Sequence, residues 1–171
     1  STEWDFIKQH NIGRLYVRMF DVANDPTANI WSDDNRIIPI GTTRFLQQIP
    51  DSIEVVPTVF ITMDAFKTIN GSLTGELAQK IFNRVSAMCV ANNIPNVHEI
   101  QIDCDYDEYH NWVFDNFCKK MKEVGVGTII CTDISKDGAM QGTNTEMYRK
   151  LQQLFDMQVR ENYFLYSNGQ A

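Results

Sequence analysis

One stretch of the sequence, residues 128–146 (TIICTDISKDGAMQGTNTE), is typical of a buried strand, a polar loop and the start of a helix. Residues 128–131 are apolar or β-branched, as in a strand of a parallel sheet. The following segment is rich in Asp, Gly, Ser and Thr and predicts a loop. Thr143 or Asn144 can cap the next helix, and Thr143 with Glu146 fits a capping box. In α/β sheets and barrels, functional groups gather where a strand passes into such a loop.

The rest of the chain alternates strands with helices. Strands are predicted at 14–22, 53–62, 99–106 and 162–166, an edge segment at 37–45, and helices at 4–10, 73–93, 113–123 and 145–155. Strict alternation places Phe20 on the same side as Tyr16 and Arg18, and Pro57 predicts a bulge or an edge strand. This order predicts one α/β domain over residues 1–171. Its sheet is mostly parallel with helices outside, as in a partial or divergent (βα) barrel.

Composition restricts the function classes. The 171 residues are 43% hydrophobic and 22% charged, which suits one globular domain, but a complete (βα)8 barrel needs about 250 residues. The net charge is −7 and there is no basic run, so nucleic acid and anionic membranes are not expected partners. No stretch is apolar enough to cross a membrane.

The four cysteines match no zinc or redox motif in their spacing, and we expect Cys89, Cys104, Cys118 and Cys131 to be buried and reduced. Reduced thiols favour a cytoplasmic location. No signal segment opens the chain, although Ser1 is compatible with removal of one, so a secreted or periplasmic location stays open.

Aspartates follow or end several predicted strands. The alternation in EIQIDCDY puts Asp103 and Asp105 on one face. Parallel strands place their carboxyl ends on one rim, where Asp21, Asp133 and Asp137 are also expected. Mutual repulsion would raise the pKa of one carboxyl, making it an acid, and leave another as a base. Alternatively, Asp105 and Asp133 only cap turns or helices.

Other chemistries remain open for these carboxylates. They could hold Mg²⁺ or Ca²⁺, although no loop has the spacing of a calcium loop, and we predict no metal or cofactor. Asp103 and Asp137 could also form the carboxylate pair of a carbohydrate-active barrel. His10, His98 and His110 have no partner motif, and Lys136 meets either a phosphate or solvent.

CTDISKDGAMQGTN, with FCKKMKEVGV before it and MYRKLQQLF after it, resembles the sixth strand, loop and helix of a histidine-biosynthesis enzyme family. That family is the phosphoribosylformimino-aminoimidazole-carboxamide ribotide isomerase, a (βα)8 barrel, and the resemblance is dense over residues 113–159. It implies an Amadori-type aldose–ketose rearrangement of a phosphorylated sugar-like molecule, with one aspartate as acid and one as base. The resemblance implies these site residues: Asp137 as general acid, Thr132 and Asp103 in the catalytic site, and Gly138, Asp133, Thr143 and Asn144 in ligand binding.

The chain also departs from that family. LYVRMFDVAND lacks the aspartate, glycine, lysine and arginine pattern of the family's first strand, and the phosphate-binding glycine turns of its last two strands have no counterpart. Residues 12–105 instead resemble an uncharacterised bacterial family of secreted barrel-like proteins. We therefore expect a composite chain with a junction near 106–113, or a truncated barrel. It would have little or no activity alone, or be a noncatalytic module, and it would self-associate through unpaired sheet edges.

Overall fold

A computed structural model describes residues 2–27, 36–69, 73–106, 111–124, 126, 128–133, 145–155 and 158–161 as an α/β fold. The strands are β1 (Arg14–Asn24), β2 (Ile37–Ile40), β3 (Glu54–Ile61), β4 (Gln101–Tyr106), β5 (Thr128–Asp133) and β6 (Gln158–Glu161). The helices are α1 (Thr2–Gln9), α2 (Met63–Thr68), α3 (Thr74–Ala91), α4 (Asn111–Glu123) and α5 (Thr145–Phe155). From β4 onward strands and helices alternate as predicted, whereas two helices, α2 and α3, lie between β3 and β4, and α2 was not predicted.

The strand order is that of a barrel segment. The sheet runs β2-β1-β3-β4-β5-β6, with β2 antiparallel to β1 and all other neighbours parallel. Parallel strands that adjoin in sequence order wind in one direction, so their right-handed crossovers bring the helices to one face. β2 and β6 are the two edges of the described sheet, and the barrel is not closed.

The helices cover one face of the sheet, which we call the outer face. Its buried apolar residues include Val55, Val59, Ile61, Ile102, Cys104, Ile129 and Cys131. In α4, the Phe117 ring is fully buried and meets the Phe66 ring edge-on at 5.4 Å. In α5, the Tyr148 hydroxyl donates to the Cys131 carbonyl at 2.8 Å. Removing this apolar surface from water is the main source of the stability of the fold.

The opposite, inner face is polar. Register partners on parallel strands project to the same side of a sheet. The rows of the inner face are Arg14–Glu54, Tyr16–Val56, Arg18–Thr58–Gln101–Thr128, Asp21–Phe60–Asp103–Ile130 and Asp105–Thr132, so it carries more polar residues than the outer face although Val56, Phe60 and Ile130 are apolar. Thr58, Gln101 and Thr128 are buried there. Charged and polar side chains therefore face what would be the interior of a closed barrel.

A bulge in β1 changes the predicted sidedness of that strand. The register passes from Arg18 opposite Thr58 to Phe20 opposite Val59, so Met19 is an extra residue. The amide of Thr43 donates to the Met19 carbonyl at 2.8 Å and holds the bulge from outside the sheet. The prediction that Phe20 shares a side with Arg18 is wrong, because the bulge turns Phe20 toward the buried outer face.

Pro57 lies in a central strand, so the edge interpretation of 53–62 is wrong. β3 pairs with β1 on one side and β4 on the other. The amide of Val55 points toward the β4 side of the strand and donates to the Asn96 carbonyl. The backbone nitrogen of Pro57, two positions later, points to the same side. The β3–β4 ladder begins only at Thr58, so the missing N–H of Pro57 leaves no ladder bond unmade.

The remaining predictions are placed as follows. The four predicted helices are confirmed with small boundary shifts, and α4 begins at Asn111, two residues before the predicted start. β5 extends through Thr132 and Asp133, which were expected in a loop. The strand predicted at 162–166 lies outside the described residues.

All four cysteines are buried and none forms a disulfide. A hydrogen bond with Cys131 and burial hold the pKa of the Cys104 thiol well above its usual value, and burial does the same for Cys118. Among the described residues, none of the helices has the length and apolar character that a membrane crossing requires.

Candidate active site

Strand β4 carries two carboxylates onto the inner face, as its alternation predicted. Asp103 and Asp105 are both partly buried and project to the side opposite Ile102 and Cys104. Burial raises the pKa of the Asp103 carboxyl, the negative charge of Asp105 raises it further, and the positive charge of Arg18 lowers it. This carboxyl therefore keeps its proton to higher pH than an exposed aspartate does.

Arg18, on β1, supplies a positive charge to the site and forms an ion pair with Asp21 of the same strand. The guanidinium donates from Nε to Asp21 Oδ1 at 2.6 Å and from one Nη to Asp21 Oδ2 at 2.7 Å. Its carbon lies 4.9 Å from the centroid of the Phe60 ring, in cation–π contact. The bulge at Met19 produces this geometry, because the extra residue places Asp21 on the same face of the sheet as Arg18.

The chain after β2 supports the same pair. Gly41 has a φ of +57°, a left-handed conformation that strains residues with a side chain, and a Cβ built there would lie 3.6 Å from Asp21 Oδ2. The Thr43 hydroxyl donates to the Arg18 carbonyl. We call the five residues Arg18, Asp21, Phe60, Asp103 and Asp105 the rim cluster.

Sequence reasoning identified the three aspartates of the rim cluster but missed Arg18 and Phe60. An arginine within an otherwise apolar strand was the available signal for Arg18. The sequence also carried no indication of Thr62, directly after β3. Its hydroxyl is buried without a hydrogen-bond partner among the described residues. That hydroxyl is a candidate group for contact with a ligand.

Of the two predicted residues of β5, Thr132 shares a row with this cluster, whereas Asp133 lies in the alternate row. Thr132 is the register partner of Asp105, and Asp133 is the partner of Tyr106. Thr132 thus occupies the same row as one of the inner-face carboxylates. The predicted positions Asp137, Gly138, Thr143 and Asn144 lie outside the described residues, as does the proposed pairing of Asp103 with Asp137.

A second polar group lies at the amino-terminal ends of the strands. Arg14 donates to Glu54 at 2.9 Å and to Glu99 at 3.1 Å, and the Thr128 hydroxyl donates to Glu99 at 3.1 Å. We call these four residues the base cluster. They tie together β1, β3, β5 and the segment before β4, which is a structural role.

Other chemistry has less support in the described part of the chain. Among these residues, no three His, Cys, Asp or Glu side chains are arranged to hold a metal ion. His10 packs on Phe6, with ring centroids 4.2 Å apart, and His98 lines a cavity of about 260 Å³ beside α3. His110 and Lys136 lie outside the described residues.

Comparison with known proteins places most of the described strands and helices after β3 within one family match. The sequence pattern of the family described as "Histidine biosynthesis protein" matches residues 65–161, more than half of the chain. The predicted junction at 106–113 lies within that match, and the composite origin of the chain stays a prediction. The resemblance of residues 12–105 to a secreted barrel-like family has no support from these matches. No solved structure matches the chain.

Several curated relatives are 1-(5-phosphoribosyl)-5-((5-phosphoribosylamino)methylideneamino) imidazole-4-carboxamide isomerases. The chain is 44% identical over 57 residues to that of Clostridium beijerinckii, covering 33% of this chain and 20% of the relative. It is 38% identical over 56 residues to that of Idiomarina loihiensis (29% and 23%), and 37% identical over 68 residues to that of Clostridium botulinum (35% and 29%). Each match spans less than a third of the relative.

Proposed function

The chain belongs to the histidine biosynthesis protein family, and on that premise we propose that it is part of an aldose–ketose isomerase of the Amadori type. Its substrate is a phosphorylated sugar derivative of the kind named for its relatives. The observation that carries the proposal is the half-buried Asp103 carboxyl, near the carboxyl ends of parallel strands and flanked by Asp105 and Arg18. Functional groups of barrel enzymes lie at this end.

The rearrangement needs one group that donates a proton and one that removes a proton from carbon. The raised pKa of Asp103 makes its carboxylate a stronger base than that of an exposed aspartate, and resemblance makes Asp137 the acid of the loop after β5. Two carboxyls on neighbouring strands can divide the two roles between them, which a pH–rate profile would assign. Thr132, Asp133 and Gly138 complete this side of the site in the proposal.

We expect the 171 residues by themselves to turn over little or no substrate. A phosphate is usually bound by backbone N–H groups at a helix start or a glycine turn, and only the Thr143–Asn144 helix start is a candidate. The described sheet is open between β2 and β6, so the described strands do not surround a substrate bound at the rim cluster. A substrate with two phosphates would therefore bind weakly.

The test is incubation of the purified chain with the ribotide, following turnover and the NMR signals of the aspartate carboxyl carbons. We expect turnover near the buffer background and shifts at Asp103 and Asp105 at about millimolar ligand. Asp51→Asn, in the exposed turn before β3, is the matched control. If the chain turns over the ribotide well above background and Asp137→Asn abolishes this turnover, the argument about missing phosphate contacts is refuted. The same result supports Asp137 as the general acid. Absence of any ligand-dependent shift would favour a noncatalytic module.

The two unpaired edges lead us to propose self-association, most simply as a dimer. Edge strands expose unpaired N–H and C=O groups that pair readily with another copy. Light scattering across a hundredfold dilution would contradict this if the mass stayed that of a monomer. We also propose a cytoplasmic location, which the unpaired buried thiols support, and no nucleic-acid or membrane partner, which the net charge of −7 supports.

A further inference from the structure

Arg18 reaches from β1 across β3 toward β4. Adjacent strands lie about 4.8 Å apart, so β1 and β4 are separated by about 10 Å. The guanidinium lies over Phe60 of β3, and Phe60 is the register partner of both Asp21 and Asp103. The Arg18 charge is therefore carried to the middle of the row that joins the two aspartates.

In the part of the chain that the structure describes, the charged side chains that face Asp103 lie on β1 and β4. From β1 they are Arg18 and Asp21, and from β4 itself Asp105. β3 contributes the uncharged Thr58 and Phe60, and the register partner on β5 is the uncharged Ile130. Arg18 is the one cation in this group of described residues, and its fork is occupied by Asp21 rather than Asp103.

Arg14 provides a comparison on the same strand and the same face. It lies at the opposite end of β1, where it donates to Glu54 and Glu99. Both arginines are exposed at the tip, with 44% and 58% of the side chain accessible. They differ in the number of carboxylates they hold: Arg14 bridges two, whereas Arg18 holds Asp21 and has an electrostatic interaction with Asp103.

We infer that Arg18, clamped by Asp21 and laid on the Phe60 ring, is a positioning residue that sets the charge of Asp103 and thereby its role in proton transfer. This inference rests on the proposed function for its catalytic meaning. While Asp21 holds the guanidinium, Asp103 keeps its proton to higher pH than an exposed aspartate does, and the protonated carboxyl can act as a donor. When the fork moves toward β4, the nearer positive charge favours the carboxylate and Asp103 acts as a base.

The test is a direct titration of Asp103 in the intact chain, with ¹³C-labelled aspartate and assignment by Asp103→Asn. We expect Arg18→Met to raise the measured pKa of Asp103 by about 0.5 to 1, because a nearby positive charge is lost. Arg18→Lys restores part of the effect, since it keeps the charge but loses the bidentate fork. Arg14→Met, the matched control, leaves the Asp103 titration unchanged.

An Asp103 titration that is the same in Arg18→Met and wild type overturns the inference, as does an equal shift in Arg14→Met. If Arg18→Met fails to fold, Asp21→Asn carries the test. This substitution releases the Arg18 guanidinium and removes a negative charge, so we expect the measured pKa of Asp103 to fall. An unchanged pKa overturns the inference. These titrations contain no substrate, so they can succeed or fail independently of the ribotide assay that tests the proposed function.

Discussion

The two faces of β4 show how one short strand serves two purposes. Ile102 and Cys104 are fully buried against the helices, while Asp103 and Asp105, between and beyond them, face the polar inner side. The outer face stabilises the fold by excluding water, and the inner face bears desolvated charge that opposes folding. A face that costs stability in this way is where chemistry is expected.

The inner face itself divides into the base cluster and the rim cluster. In the base cluster, Arg14 joins Glu54 and Glu99, and the hydroxyl of Thr128 adds a further hydrogen bond. In the rim cluster, Arg18 pairs with Asp21, and its positive charge also acts on Asp103. Barrel enzymes usually place stabilising groups at the amino-terminal ends of the strands and functional groups at the carboxyl ends, which is the division found here.

The largest expected effect concerns the thiols of the outer face. Cys104, Cys118 and Cys131 are at most 2% exposed, and Cys89 is 8% exposed. We expect a thiol reagent to modify fewer than two cysteines in the native state and all four in denaturant, with buried thiols slowed at least about 10³-fold. Mass spectrometry counts the modified thiols. Rapid native labelling of all four, or a disulfide, would refute the buried outer face.

Next in size is truncation of Ile102. Its side chain is fully buried between β4 and the helices, so Ile102→Ala leaves a cavity and lowers the free energy of unfolding by about 2 to 5 kcal/mol. Urea denaturation followed by circular dichroism measures the change. Leu46→Ala is the control, because Leu46 is 83% exposed and its loss costs little. Equal effects of the two substitutions would remove the distinction between the faces.

Asp103→Asn, next to Ile102 on β4, is expected to stabilise the fold, whereas Ile102→Ala destabilises it. Because folding raises the pKa of Asp103, ionisation opposes folding: its contribution is favourable below the unfolded value of about 3.9 and is lost as pH rises through the folded value. At pH 7 the substitution therefore raises Tm by about 1 to 2 °C, a small change because solvent screens a half-buried group. Thermal melts from about pH 3 to pH 7 check this, and the difference should vanish at the acidic end. A stabilisation that persists there would contradict the charge explanation.

The smallest effect is expected at the base cluster. Arg14→Met removes the two ion pairs with Glu54 and Glu99, but the arginine is exposed at its tip, so Tm falls by no more than about 2 °C. High salt screens the ion pairs and reduces the difference in Tm between the variant and the wild type. Thermal melts in about 1 M salt measure this difference. A large loss of Tm that salt does not change would mean that Arg14 stabilises the fold by packing.

Much of the fold could be predicted from local pattern. The alternation in EIQIDCDY, the apolar spacing of α3 and the β-branched start of β5 each gave the correct element type. The edge position of 37–45 followed from Pro39, whose strand β2 lies at the edge. Pro57 misled because tolerance of a proline depends on which neighbour its missing N–H faces, and that neighbour, β4, is over forty residues later in the sequence.

The sequence alone determined which side of β4 is apolar and which is acidic, because side chains alternate along a strand whatever surrounds it. It also determined family membership through the motif at 128–146. Only the tertiary structure decided that β1, β3 and β4 adjoin in that order, that a bulge at Met19 returns Asp21 to Arg18, and that the guanidinium lies over Phe60 toward Asp103. These features depend on register between segments far apart in the chain, which no local pattern specifies.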